Sequence, residues 1–174
     1  QTVRVLGGPN PSAAPEAETI TVAFTPEEGN PVRTAEHKMA VVKVEVKAAD
    51  GVSPPPRYLG AGQSTQFKAV VTPEISALYA WSTNSDKWTL ANTGNAVVDV
   101  TAGDVPSSDA DGEIIELLFT PAIGPSFSPV ETRLTVLKTT ITAADGVSPP
   151  PAALGANKSV QLKAALHPAV SGTF

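Results

Sequence analysis

Residues 48–56, from Ala48 to Pro56, read AADGVSPPP and return unchanged at 143–151, 95 positions later. The same offset, with no gap, maps Phe24-Thr25-Pro26 onto Phe119-Thr120-Pro121 and Val3 onto Val98. It also carries Leu59-Gly60-Ala61 onto Leu154-Gly155-Ala156 and Tyr79 onto Phe174. Over the whole overlap, 32 of 79 pairs are identical. Self-similarity this long is the mark of a tandem array of like units. A recurring site would have to be built into each copy, and catalysis is rarely arranged that way. The repeat therefore points toward a structural or binding role.

A chain of 174 residues holds one or two small domains with a proper core. Its 17 Pro, 13 Gly and few aromatics suit short strands joined by many turns. Net charge is -5 and no basic stripe exists to neutralise phosphates, so nucleic-acid binding is not expected. No apolar run approaches the roughly 18 residues of a membrane-spanning helix, so no membrane insertion is expected either. Cysteine is absent, which excludes disulfides and thiolate metal sites but fits both cytoplasm and bacterial exterior. The chain starts at Gln1, without initiator Met or signal peptide, which reads as a processed product or a window cut from a longer protein.

Apolar residues alternate with period two, as strands require. Val42, Val44 and Val46 alternate with Lys43 and Glu45. Further strands are expected at Ser64–Val71, Leu78–Thr83, Lys87–Leu90, Ala96–Thr101, Glu113–Thr120 and Thr132–Lys138. Seven short strands in about 95 residues predict an all-β chain of β-sandwiches. Asp50-Gly51 and Asp145-Gly146 are turn dipeptides, and Asn84–Asp86 and Asn92–Asn95 read as tight loops. The triple prolines after each Asp-Gly fit an extended crossover between sheets.

Three segments follow. Residues 1–38 align with the C-terminal half of a repeat, 39–137 form one complete repeat, and 138–174 align with the N-terminal half of the next. His37 to Ala48 and Thr132 to Ala143 each run without Gly or Pro across a unit boundary. One unit's last strand is expected to pass almost directly into the next unit's first, giving a stiff joint rather than a floppy linker. The end halves are complementary, and together lack only the counterpart of about Ala80–Gly94. They could meet head to tail between chains. Alternatively, flanking repeats of a longer array supply their partners.

Gly62, Ser64, Phe67, Ala69, Val71 and Pro73, then Tyr79 and Trp81, then Val98 and Val100 form a strand pattern. It resembles the bacterial immunoglobulin-like repeat. The second copy carries Ser159, Leu162, Ala164, Leu166, Pro168 and Phe174. The resemblance spans the whole chain, in core and turn positions that specify fold better than function. It implies immunoglobulin-like sandwiches of about 95 residues, as in the stalks of intimin- and invasin-like adhesins. An extracellular or bacterial cell-surface location is part of that implication.

Residues with chemical potential are few. Trp81 reads as the core tryptophan, and Trp88 with Leu90 as a second core position, the alternative being a surface aromatic facing a neighbour or a sugar. His37 and His167 align with threonines and have no histidine partner. No Gly-x-Ser-x-Gly elbow occurs. Gly155–Ser159 superficially resembles a P-loop end, but Asn157 stands where glycine is required. The same stretch holds a lone glycosylation sequon, Asn157-Lys158-Ser159. Asp109, Asp111 and Glu113 are the best calcium candidates, though a solvated acidic loop explains them more simply. Lys43 and Lys138 align within strands, where a lysine cross-link is conceivable and a polar strand face is simpler.

No catalytic residue, cofactor or metal site is therefore expected, and the chain is not read as an enzyme. Its expected partners are neighbouring immunoglobulin-like repeats or copies of itself. The expected role is a stiff stalk, spacer or self-assembling fibre subunit. The alternative is a protein- or carbohydrate-binding module of an adhesin or secreted enzyme, which would need Trp88 or Tyr58 exposed.

Overall fold

A computed structural model describes residues 2, 4–24, 26–27 and 33–172. Val3, Thr25 and Phe174, which enter the repeat alignment, lie outside the described residues. Among the described residues there are eleven strands and no helix. They are β1 (Glu18–Phe24), β2 (Arg33–Met39), β3 (Lys43–Ala48), β4 (Tyr58–Gly60), β5 (Ser64–Thr72) and β6 (Ala77–Thr83). Then follow β7 (Trp88–Ala91), β8 (Val97–Ala102), β9 (Glu113–Pro121), β10 (Val130–Ala143) and β11 (Leu162–His167).

The middle of the chain is β-sandwich-like. One sheet has the order β3-β5-β8-β7, the other β11-β10-β9-β6, with β4 added to β10. All pairings are antiparallel except β4 with β10, where Tyr58 to Gly60 run parallel to Thr135 to Leu137. Period-two alternation decides which face is buried. In β9, Ile115, Leu117 and Phe119 are fully buried. From the facing sheet come Phe67 and Ala69 of β5, Trp88 of β7, and Val98, Val100 and Ala102 of β8. Trp81, Leu134 and Val136 complete the core. Each fully buried side chain of the Val, Leu, Ile or Phe type contributes about 1.5–3 kcal/mol of transfer free energy.

The seven strands read from alternation are β3 and β5 to β10, with small shifts at their ends. Pro54 to Pro56 lie between β3 in one sheet and β4 in the other, so the proline run is the crossover between sheets. β4 is too short to show an alternation, while β11 falls on Leu162, Ala164 and Leu166, the second copy of the pattern that β5 carries at Phe67, Ala69 and Val71. Among the described residues β1 and β2 form a separate hairpin, from Glu18 opposite Met39 to Phe24 opposite Arg33.

β10 is longer than its alternation predicts. It runs 14 residues, straight through the boundary expected at 137–138. Nothing in it is Gly or Pro, and each stretch has a partner: β9 at 130–134, β4 at 135–137, β11 at 138–143. At the earlier boundary, residues 40–42 interrupt the strand between β2 and β3. They align with 135–137, the part of β10 that β4 holds.

Candidate functional site

The most organised polar region lies on β10, beside the expected boundary at 137–138. Ser107 is fully buried in the loop between β8 and β9. Its amide donates to the Val136 carbonyl at 3.0 Å, and its hydroxyl accepts from the Val136 amide at 2.8 Å. That hydroxyl also donates to the Glu113 carboxylate at 2.7 Å, which accepts Trp88 Nε1–H at 3.2 Å. A buried serine must find such partners, because an unpaired buried hydroxyl costs about 1–3 kcal/mol.

The pattern recurs at the same offset. Ser12 donates through its amide to the Val41 carbonyl at 2.8 Å, accepts from the Val41 amide at 2.9 Å and donates to Glu18 at 2.9 Å. Sequence reasoning passed over these residues. The available signal was that Ser12/Ser107, Glu18/Glu113 and Val41/Val136 are identical pairs at the 95-residue offset.

Just beyond the boundary, Lys138 Nζ donates to the Asp104 carbonyl at 3.1 Å. The Ala61 amide donates to the Leu137 carbonyl at 2.8 Å, and the Thr135 amide to the Arg57 carbonyl at 2.9 Å. Gly112 sits against this strand with φ +67. Thr135, fully buried, donates its hydroxyl to the Ala110 carbonyl at 3.2 Å.

The Asp-Gly turns also recur bond for bond. Asp50 accepts from the Ser53 hydroxyl at 2.6 Å and from the Val52 and Ser53 amides at 2.8 Å each. Asp145 makes the same set with Ser148 and Val147. The serine hydroxyl is the largest cause, and the two amides add to it, in holding both carboxyls below their ordinary value of 3.8. Gly51 and Gly146 have φ +72 and +78, which the turn requires and glycine adopts freely.

The other candidates are dispersed. Trp81 is buried and donates Nε1–H to the Asn95 carbonyl at 2.9 Å. Trp88 is buried as well, so it offers no binding platform. Tyr58 is 40% exposed with the Arg57 guanidinium 5.8 Å from its ring centre, and its counterpart is Ala153. His37 and His167 are exposed on β2 and β11, opposite Ile20 and Lys138. Lys43 pairs with Glu45 at 3.1 Å, and the hydrogen bond from its ammonium does most to lower the Glu45 carboxyl. Gly155–Ser159 is a turn in which Asn157 has φ 60, matching Gly62 at φ +74 in the first copy.

The three acidic candidates do not converge. Asp109 accepts from the Asp111 and Gly112 amides, closing its own turn. Asp111 faces Arg57 at 3.6 Å in solvent, while Glu113 turns inward to Ser107 and Trp88. Among the described residues, no group of three His, Cys, Asp or Glu could hold a metal ion.

No family model matches this chain, and no curated protein matches it. Among solved structures, it is similar to a nucleoside hydrolase-related hypothetical protein from Saccharophagus degradans associated with carbohydrate metabolism. Identity is 15%, the TM-score 0.38, and the match covers 53% of this chain and 25% of that one. A likeness at that level carries no functional argument.

Proposed function

We propose that this chain is a stretch of tandem immunoglobulin-like sandwiches serving as a stiff spacer in a bacterial extracellular or surface protein. The unit boundaries in this reading are 1–38, 39–137 and 138–174. The observation that carries it is β10, one unbroken strand paired with β9 before the boundary and β11 after it. A strand hydrogen-bonded on both sides of a joint resists bending far better than a Gly/Ser linker of equal length. The Lys138–Asp104 bond and the Ala61–Leu137 bond brace the same place. Recurrence of the Ser107 network at Ser12 supports like units in series. The surface location rests on the resemblance to adhesin stalk repeats.

The chain has no cysteine, so two can be introduced for spin labels. Thr89→Cys and Lys158→Cys place labels on exposed positions on either side of the boundary. A narrow distance distribution by pulsed electron resonance is expected, broadening when Gly-Ser-Gly is inserted between Leu137 and Lys138. An equally broad distribution without the insertion would refute the stiff-spacer reading.

A further inference from the structure

The sequence holds three Asp-Gly pairs, Asp50-Gly51, Asp111-Gly112 and Asp145-Gly146. At such a pair the glycine amide nitrogen can reach the carboxyl carbon of the aspartate, because glycine has no Cβ to stand in the way. Closing that ring has three requirements. The carboxyl must be free to turn. It must carry a proton, so that its hydroxyl can depart as water. The glycine amide must give up its own hydrogen-bond partner.

At two of the pairs the fold opposes every requirement. Asp50 and Asp145 are each held by one serine hydroxyl and two amides. Those bonds keep both carboxyls ionised further into acid than usual. The Gly51 and Gly146 amides are engaged elsewhere, donating to the Ala48 and Ala143 carbonyls at 2.9 Å each.

Asp111 is set differently. Its side chain is 82% exposed, and its carboxyl accepts no hydrogen bond from the described residues. The nearest cation is the Arg57 guanidinium at 3.6 Å, itself 60% exposed. A pair that loose and that wet holds its members weakly. The Gly112 amide donates to Asp109 Oδ1 at 3.2 Å, a carboxylate in place to take the proton that the nitrogen sheds on attack.

We propose that Asp111-Gly112 is a site of spontaneous isoaspartate formation, and that the change loosens the fastening of β10. The Gly112 nitrogen bonds to Asp111 Cγ, and its proton passes to Asp109. The carboxyl hydroxyl departs with that proton as water, leaving a succinimide. One water then opens the ring. Cleavage at Cγ restores aspartate, whereas cleavage at the Asp111 main-chain carbonyl leaves the chain running through the side-chain carboxyl. Mass is unchanged, and water is the only reagent. The new linkage adds one methylene between two points pinned to β10. Before it, the Ala110 carbonyl accepts the Thr135 hydroxyl at 3.2 Å. After it, Gly112 lies so close that a Cβ would stand 2.5 Å from the Leu134 carbonyl oxygen. Glu113, the next residue, holds Ser107 and Trp88. The extra atom fits only when one of these anchors is released. The site stands or falls independently of the spacer reading.

The test ages the full chain for weeks in heavy-oxygen water at mildly acidic pH, folded and in urea, and then maps its peptides. Each passage through the ring leaves one heavy oxygen on the residue, and electron-transfer fragmentation locates isoaspartate. In the folded chain Asp111 is expected to label at least about tenfold faster than Asp50 or Asp145, each of which must first break three hydrogen bonds. In urea the three rates are expected to converge. Equal rates in the folded chain overturn the proposal, as does the same preference for Asp111 in urea. Asp111→Glu, whose longer side chain closes its ring poorly, is expected to leave position 111 unlabelled. Tryptophan emission from the buried Trp81 and Trp88 verifies that both chains start folded. Aged wild type is expected to unfold at lower urea than fresh, while aged Asp111→Glu keeps its midpoint. A wild-type midpoint that does not move once isoaspartate has formed overturns the loosening of β10.

Discussion

Ser107 and Val136 are joined twice, amide to carbonyl at 3.0 Å and amide to hydroxyl at 2.8 Å, so a loop is fastened to β10 as if it were another strand. The fastening lies one residue from the end of the proposed middle unit. It couples the Glu113–Trp88 contact beneath it to the strand that leaves the unit.

Ser107→Ala strips the buried Val136 amide of its acceptor and Glu113 of a donor. A loss of about 1–3 kcal/mol is expected. Urea unfolding followed by tryptophan emission measures it, and an unchanged midpoint would contradict the account.

Gly112→Ala is expected to be worse than an ordinary glycine substitution. A Cβ there would stand 2.5 Å from the Leu134 carbonyl oxygen and closer still to the Thr135 hydroxyl, at φ +67. Backbone, not a flexible side-chain tip, blocks the space. Roughly 2–4 kcal/mol of destabilisation follows from clash and strain together. Gly94→Ala, which meets nothing within 4 Å, is the control.

Trp88→Phe keeps most of the apolar volume and removes the N–H that reaches Glu113. The expected cost is about 1–3 kcal/mol, summing a lost hydrogen bond and a small void. The variant also leaves Trp81 as the sole tryptophan, so its emission reports the core directly.

Asp50 and Asp145 tie stability to acidity. Their carboxyls are held below 3.8 in the folded chain, so the ionised forms stabilise it. That contribution is complete above the ordinary value and is lost as pH falls through the lower folded value. Asp50→Asn with Asp145→Asn should weaken the chain near neutral pH and converge with wild type in strong acid. Denaturation midpoints over a pH series check this, and parallel curves would refute it.

The strands were legible because one face stays apolar at every second position, as in Phe67, Ala69 and Val71 or Ile115, Leu117 and Phe119, even where Val70, Ile114 and Leu118 break the polar rhythm of the other face. The core followed from the same alternation, Trp81 and Trp88 included. β4 was not legible, since three residues after a proline run carry no period and its pairing with Thr135–Leu137 is long-range. β11 was legible only through the resemblance, as the second copy of the Phe67, Ala69 and Val71 pattern at Leu162, Ala164 and Leu166. The Ser12 and Ser107 networks were visible as identical pairs, but a lone serine in a loop announces no burial. Glu113 was grouped with Asp109 and Asp111 by spacing, whereas the Ser107 hydroxyl and the Trp88 N–H turn it the other way.

β10 gives its even-numbered residues, Leu134 and Val136, to the core of the middle unit. Downstream of the boundary, the odd-numbered Ile141 takes the place of core-packed Val46. Because a strand reverses its faces at every step, inserting or deleting one residue here would turn every downstream side chain inside out. Length drift at the joint is thus intolerable in a way that drift in the loops is not, which fits a sequence that differs from itself at most aligned positions and yet keeps a gapless spacing of 95.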